Sequence, residues 1–371
     1  MINKRTLSNF DWSFLCAFLA LVAVGLAAVY SATYSMDGGR HGLFLKQLRW
    51  MAIGFAGLAL ILKFGYQSIE RWGYVLYGIA SLLLVAVLVM GRTGMGAQRW
   101  LPLGPFSFQP SEVAKLFIII ALAKYFSEDG VTGGHTLRQL GRPFLMVIVP
   151  VLLVVKQPDL GTGLMLVFIF CAMVVAAGIR LRSFLYLAGT AALAAPVAWG
   201  FFWNHLKDYQ KKRLLVFVSP DVDPSGAGYH IIQSKIAIGS GSLFGKGFLN
   251  GTQSQLSFLP ERHTDFIFSV ISEEWGFIGS IFVVLVFLFI ILWGLETAHK
   301  AKDRFGALLA AGAVSMIFFH VAINVGMTLG IMPVVGVPLP LVSYGGTSAV
   351  TTILALGLIL DVNVKRFKLF Y

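Results

Sequence analysis

The sequence predicts an all-α polytopic membrane protein, on three observations. Hydrophobic residues make up 57% of the 371-residue chain and charged residues only 12%, about half the charge that covers an ordinary soluble domain. Mean hydropathy is +0.80, and apolar runs of roughly 18 or more residues recur, each able to cross a hydrocarbon core of about 30 Å. Lys and Arg crowd into alternate short connections, as the positive-inside rule requires.

Taken in order, about ten spans are expected: 11–31, 46–64, 73–90, 111–126, 143–156, 160–179, 184–203, 268–295, 305–330 and 345–363. The fourth and fifth are short, so their limits are the least defined. Lys4 and Arg5 ahead of an apolar stretch ending in "SAT" imitate a signal peptide. Losing that span would leave about nine and invert the charge bias, so its retention is expected. "GRTGMGAQRWLPLGPFSFQP" (91–110) and "MPVVGVPLPLVSYGGTS" (332–348) are rich in Gly and Pro, which break helices. Both suit re-entrant segments, because irregular backbone is tolerated at membrane depth where it lines a polar cavity.

Orientation follows from the cations. Lys63, Arg71, Lys124, Arg138, Arg142, Arg180, Arg182, Lys300, Lys302 and Arg304 fall in connections on the side of both termini, whereas the short connections opposite hold fewer, among them Arg40, Lys46, Arg49, Arg92, Arg99 and Lys156. Both ends of the chain are therefore expected in the cytoplasm, with about 204–267 as one long outer loop. No internal repeat or soluble segment is evident, so 1–371 reads as one integral membrane domain. Cys16 and Cys171 lie inside expected spans, where thiols act as small apolar packers rather than a disulfide or metal site.

The net charge of +12 partly reflects that bias and carries no nucleic-acid motif with it. Seven outer-loop cations are different: Lys207, Lys211, Lys212, Arg213, Lys235, Lys246 and Arg262. Orientation does not need them, so they point to an anionic partner outside, either lipid headgroups or a pyrophosphate. No G-x-x-x-x-G-K-[ST] motif occurs, which argues against ATP hydrolysis, and no Cys/His cluster suggests zinc. The residues leave room for a divalent cation, Mg or Mn, held by carboxylates and pyrophosphate. They call for no organic cofactor.

"LPERHTDFIF" (259–268) gathers Glu261, Arg262, His263, Thr264 and Asp265 at the mouth of an apolar helix. From Asp265 to about Leu295 the pattern is helix-compatible for roughly 46 Å at about 1.5 Å per residue. That exceeds the membrane, so the first turns are expected in the outer interface or a protein cavity. Asp265, Ser269, Ser272 and Gly276 share one helical face, with Glu273 at its margin. A helix N-terminus would favour one carboxylate there, but not the neighbouring Glu-Arg-His or the polar stripe. "QPSEVAK" (109–115) opens the fourth span with Glu112 and Lys115, and "KQPDLGTG" (156–163) sets Asp159 as the N-cap of the sixth. A local ion pair and a cap would account for these singly. Four ionisable groups from three segments at one level suggest instead a shared outward-facing cavity. "SYGGTS" (343–348) adds Ser343 and a Gly pair ahead of a helix, a weak anion-cradle signal.

Together, "GAQRWLPLGPFSFQPSEVAK", "QPDLGTG", "GAGYHIIQSKIAIGSGSLFGKGFLNGTQSQLSFLPERHTDFIFSVISEEWG" and "GIMPVVGVPLPLVSYGGTS", in this order, resemble the signature segments of the SEDS family (shape, elongation, division and sporulation). The resemblance covers essentially the whole chain. Arg262 is similar to the elongation-type branch, since the division-type branch tends to have Ala there. Ser242 departs from the Gly common in the family.

This resemblance implies a peptidoglycan polymerase that joins lipid II units through β-1,4 links at the outer face of the bacterial cytoplasmic membrane. It implies Asp265 as the catalytic aspartate, with Glu112, Lys115 and Asp159 among the substrate-binding residues. It also implies divalent-cation dependence, a class B penicillin-binding protein as transpeptidase partner, and other elongation-complex membrane proteins. Arg49, Arg99, Lys235, Lys246, Arg262 and Ser343 complete the candidate substrate-binding set. The chemistry agrees: an α-linked sugar pyrophosphate becoming a β-glycoside needs one inverting displacement and one general base. A lipid II flippase would share the spans and cavity, but its polar groups should continue inward, where Glu273, Glu274 and Asn324 are the deeper candidates. A non-catalytic scaffold would not need Asp265.

Overall fold

The computed structural model describes residues 11–35, 42–94, 97–103, 106–131, 133–205, 211, 215–216, 226–256 and 258–366. Lys207, Lys212 and Arg213 therefore lie outside the described residues. Helices form at each expected span: α1 (Trp12–Tyr34), α2 (Gly42–Phe64), the short α3 (Tyr66–Arg71), α4 (Gly73–Met90), α5 (Pro110–Glu128), α6 (Gly141–Lys156), α7 (Leu160–Ala177) and α8 (Leu181–His205). After them come α9 (Ala227–Ser240) and α10 (Thr252–Gln255) in the outer loop, then α11 (Ile267–His299), α12 (Arg304–Thr328) and α13 (Gly346–Val364). Seven of these (α1, α2, α4, α7, α11, α12 and α13) are long and apolar enough to cross a membrane. The chain is a multi-pass membrane protein.

Local chemistry sets the helix ends. Asp11 accepts from the amides of Ser13 and Phe14 at the start of α1, and Asp303 accepts from Gly306 N at 2.7 Å at the start of α12. Such side chains satisfy amides that a helix N-terminus leaves without partners. Gly65, at φ 84°, breaks the chain between α2 and α3.

Helix α13 is enclosed along nearly its whole length and packs on α2 and α12. The periphery presents apolar side chains outward, such as Leu82, Val89, Leu152 and Phe282, as lipid-facing helices do. Cys16 and Cys171 are free thiols on this outward surface.

Two departures from the helical expectation matter. Residues 92–108 pair as a three-stranded antiparallel sheet, β1 (Arg92–Gly94), β2 (Ala97–Leu103) and β3 (Phe106–Phe108), instead of remaining irregular. Pairing satisfies the backbone that Gly and Pro keep out of a helix. Helix α11 is also broken: Gly276 has φ 68° and ψ −162°. The continuous helix expected from Asp265 to Leu295 is therefore two pieces, and Gly276 is their hinge.

The break is filled by the outer loop. Lys246 N donates to Glu273 O and Gly247 N to Glu274 O, both at 3.0 Å, while Phe277 N donates to Ser242 O at 2.8 Å and Ile278 N to Leu243 O at 3.2 Å. The "GSLFGKG" segment thus lies against the kink like a strand and takes up the groups that the lost helical turn releases. The approach is so close that a Cβ on Gly276 would overlap the backbone of Leu243 and Gly245.

The kink also sets where the first piece of α11 goes. From His299 to Gly276 the helix climbs about 34 Å, and from Arg304 to Asn324 the adjacent α12 climbs about 30 Å. Asn324 bonds the carbonyl of Asp265, so Asp265 sits near the level of Gly276 rather than a further helical length above it. The piece Ile267–Trp275 therefore runs across the end of the bundle rather than rising out of it. Ile267 through Glu274 are all buried, which meets the expectation of a protein cavity rather than water.

Two substitutions in this contact should act in opposite directions. Gly276→Ala should destabilise by roughly 3 kcal/mol or more, from forbidden backbone angles and overlap combined. Ser242, where the resembled family commonly has Gly, adopts φ 49°, a left-handed conformation that costs a non-Gly residue about 1 kcal/mol. Ser242→Gly should therefore raise stability by about that amount. Thermal unfolding in detergent, followed by fluorescence size-exclusion, reads both.

Candidate active site at the outer end of the bundle

Segment 330–345 is the piece around which the site is built. It dips into the bundle: a Cβ on Gly25, well inside α1, would lie 2.8 Å from Val342 Cα. Its backbone groups find partners from every side. Gln47 of α2 donates to Ser343 O at 3.2 Å and accepts from Gly345 N at 3.1 Å. His320 Nδ1 donates to Pro338 O at 3.1 Å, and Asn324 Nδ2 to Val337 O at 2.8 Å. This is the re-entrant geometry expected of 332–348.

The acidic turn 259–266 is stitched to that segment. Ser343 Oγ donates to Thr264 O at 2.6 Å and accepts from Leu339 N at 2.8 Å, while Tyr344 N donates to His263 O at 2.8 Å. Asp265 lies in the turn just before α11, partly buried. Its carboxylate faces Gly336, where a Cβ would meet Oδ2 at 3.3 Å. Since Asp265 precedes the helix, it does not lie on a helical face with Ser269 and Ser272. Ser269 instead pairs with Ser234 of α9 at 2.7 Å, and Ser272 Oγ donates to Phe268 O.

The neighbouring charges are paired. Lys115 donates to Glu112 Oε1 at 2.8 Å and to His320 Nε2 at 2.7 Å, with both partners of the ion pair buried. Because Nδ1 donates to Pro338 O, Nε2 is the acceptor and the ring is the neutral tautomer. Asp159 caps α7 through Thr162 and receives Gln109 Nε2 at 3.4 Å and Arg99 Nη1 at 3.7 Å. Arg99, on β2, also donates to Pro158 O, and its Nε is buried without a hydrogen-bond partner. Gln109 N donates to Thr347 Oγ1 at 3.2 Å, which joins the Asp159 group to the start of α13. Asp265, Lys115 and Asp159 thus approach one re-entrant segment from three sides.

Two of the outer cations are placed differently from the sequence-based expectation. Arg262 is buried, with Nε on Ala32 O and Nη2 on Ser35 Oγ, each at 2.8 Å, and Nη1 on Ser254 O. It caps the C-terminal end of α1, and burial pushes its guanidinium below the usual arginine range. Lys246 pairs with Glu273 at 2.7 Å and donates to Thr252 Oγ1 at 2.8 Å. Glu273 is fully buried and accepts also from the amides of Gln253 and Ser254. These two cations hold the outer loop to the bundle instead of opening toward a ligand. Lys235 is exposed and lies over Gly330, with Nζ 2.7 Å from where a Cβ would be. Arg49 is exposed on α2, whereas Arg99 is only partly exposed and is held by Asp159 and Pro158.

The three deeper polar residues do not continue inward. Glu274 takes the hydroxyl of Ser31 near the outer end of α1, Glu273 serves the loop, and Asn324 serves Asp265 and Val337. His320 went unnoticed in the sequence. The signal was there: His320, Asn324 and Thr328 recur every fourth residue of α12, which puts them on one face.

Among the described residues, no three His, Cys, Asp or Glu side chains gather as a metal site. Glu112 and Asp159 are already held by Lys115, Thr162, Gln109 and Arg99. The donor set does not fit a divalent ion held by the protein alone.

The model of the cell cycle protein family FtsW/RodA/SpoVE matches residues 11–368. The chain is 39% identical, over 98% of its length and 97% of the relative's, to the peptidoglycan glycosyltransferase MrdB of Escherichia coli K12. It is similar to a chain of a peptidoglycan synthase complex that coordinates polymerization and crosslinking, with TM-score 0.81, 32% identity and coverage of 97% and 99%. It is also similar to the rod shape determining protein RodA of Thermus thermophilus, with TM-score 0.71, 31% identity and coverage of 97% and 98%. The chain belongs to the FtsW/RodA/SpoVE family.

The placement of the loop cations has a measurable consequence. Removing one partner of a buried ion pair costs about 3–5 kcal/mol, so Lys246→Ala should lower the unfolding temperature by several degrees. Arg262→Ala should do likewise by uncapping α1. Enzyme that remains folded should keep its KM for lipid-linked substrate within about twofold, which steady-state assays on monodisperse protein would read.

Proposed function

We propose that this chain is a peptidoglycan glycosyltransferase of the elongation type that polymerises lipid II at the outer face of the cytoplasmic membrane. The observation that carries the reading is the position of Asp265. A partly buried carboxylate faces the re-entrant segment at the level where a membrane-anchored substrate passes from apolar tail to pyrophosphate and sugar.

In the proposed reaction the acceptor sugar hydroxyl attacks the anomeric carbon of the donor from the side opposite its pyrophosphate. The new C–O bond forms as the C–O bond to pyrophosphate breaks, which inverts α to β in a single displacement. Asp265 takes the hydroxyl proton as general base. The bonding pair leaves with undecaprenyl pyrophosphate, whose oxygens need charge stabilisation rather than a protein acid. Arg49 and Lys235 are the exposed cations available to that leaving group. The buried Glu112–Lys115–His320 group keeps an intramembrane cation paired, and so holds the floor of the site rigid. A divalent ion in this reading would take most of its ligands from pyrophosphate and water, and no step depends on it.

The elongation-type assignment is supported by Arg262, which ties the end of α1, at Ala32 O and Ser35 Oγ, to Ser254 O of α10, an arrangement with no counterpart if the position is Ala. The partner in this reading is a class B penicillin-binding protein supplying transpeptidation, in line with the synthase complex to which the chain is similar.

Asp265→Asn tests the reading. It preserves size but cannot accept a proton as a carboxylate does, so polymerisation should fall by roughly 10²–10⁴-fold with insertion and partner binding intact. The measurement is gel-resolved glycan made from purified lipid II by monodisperse variant enzyme with its partner. Near-normal product would remove Asp265 from the chemistry.

A further inference from the structure

Besides Ser343, a second side chain joins the two halves of the site, and it reaches Asp265 itself. Asn324 Nδ2 donates to the backbone carbonyl of Asp265 at 2.9 Å and to that of Val337 at 2.8 Å. The first carbonyl belongs to the acidic turn. The second belongs to the re-entrant segment, immediately after Gly336, against which the Asp265 carboxylate lies. A single carboxamide therefore spans both backbones at the point where the carboxylate is held.

The amide orientation is dictated by its partners. Turned the other way, Oδ1 would face two carbonyl oxygens with no proton between them. The chosen orientation leaves Oδ1 without a hydrogen-bond partner among the described residues, on a residue with no exposed surface. Buried acceptors without partners weaken a fold, and a hydroxyl could have served one carbonyl without leaving such an atom. What the carboxamide adds is two donors on one rigid plane, able to hold two carbonyls at a fixed separation.

We infer that Asn324 is a positioning residue for glycosyl transfer, fixing the Asp265 turn relative to the re-entrant segment. This rests on Asp265 being the general base. Asn324 grips the backbone of that turn and not the carboxylate itself, so it acts through Asp265. A base must lie within about 2.6–3.2 Å of the proton it takes, and a displacement of about 1 Å can cost on the order of 10²-fold in rate. Its loss should therefore fall on turnover rather than on substrate affinity. His320, one turn earlier on α12, holds the adjacent Pro338 carbonyl but reaches only the re-entrant side.

The test is steady-state lipid II polymerisation by full-length enzyme with its partner, comparing Asn324→Leu, which keeps the branched shape without donors, and Asn324→Ser, which keeps a polar site but reaches one carbonyl at most. Either variant that purifies as monodisperse protein suffices. The expected result is kcat lower by about 10–100-fold with KM within about twofold. In the Asp265→Glu background, whose carboxylate is already misplaced, the same substitution should cost at least fivefold less than it does alone. Wild-type kcat in an Asn324 variant, while Asp265→Asn is inactive, overturns the inference and leaves the general base standing. A rise in KM alone, or losses that simply multiply in the double variant, overturns it too. Activity retained in Asp265→Asn would instead remove the general base, and the inference with it.

Discussion

Everything at the outer end of this protein depends on one constraint: backbone at membrane depth cannot rely on water for its hydrogen bonds. Segment 330–345 is non-helical and lies inside the bundle, so each of its amides and carbonyls must be met by protein. Gln47, His320, Asn324 and Ser343 do this from two helices and from the segment itself. The same constraint explains the plug of residues 242–247 at Gly276, where a broken helix would otherwise leave its own groups bare. Irregular backbone is affordable here only because other irregular backbone, or a polar side chain, lies against it.

That constraint decides which polar residues are scaffold and which are left for chemistry. Arg262, Lys246, Glu273 and Ser343 all look like ligand-binding residues when sorted by charge and by proximity to the membrane. In the fold each completes a hydrogen-bonding deficit: the end of α1, the outer loop, the kink, and the turn before α13. Asp265 is placed by its backbone, whose carbonyl Asn324 holds, and its carboxylate lies beside Gly336. Glycine there is consistent with the need for room, because φ is 74° and a Cβ would press on the carboxylate.

Much of this was legible in the sequence, and the part that was not has a common cause. Spans follow from hydropathy, which is local, and their limits fell within a few residues; Asp159 could be read as a cap, and in the structure Asp11 and Asp303 cap their helices in the same way. The re-entrant character of 332–348 could be read from its Gly and Pro content. Periodicity could not reveal the break at Gly276, since an isolated glycine inside a helical pattern reads as tolerated until its backbone angles are known. Pairing across the fold was equally hidden. The distance from Lys115 to His320 is 205 positions along the chain, and no local pattern connects them. The partners of Arg262 were hidden in the same way: Ala32 and Ser35 lie at the C-terminal end of α1, 230 and 227 positions away.

The kink at Gly276 resolves what first looks like a conflict between charge and depth. A straight α11 would carry Asp265 well above the membrane, into water, where a carboxylate is stable but far from a lipid-linked pyrophosphate. A kinked α11 returns it to the level of Asn324, where the carboxylate is partly desolvated and its position is fixed by two backbones. The fold therefore sets the depth of Asp265 with a single backbone break, at the cost of having to fill that break. The filling is the glycine-rich loop, whose glycines permit backbone to meet backbone. Depth of the carboxylate, the broken helix and the glycine content of a distant loop are thus one arrangement, and changing any of them moves the others.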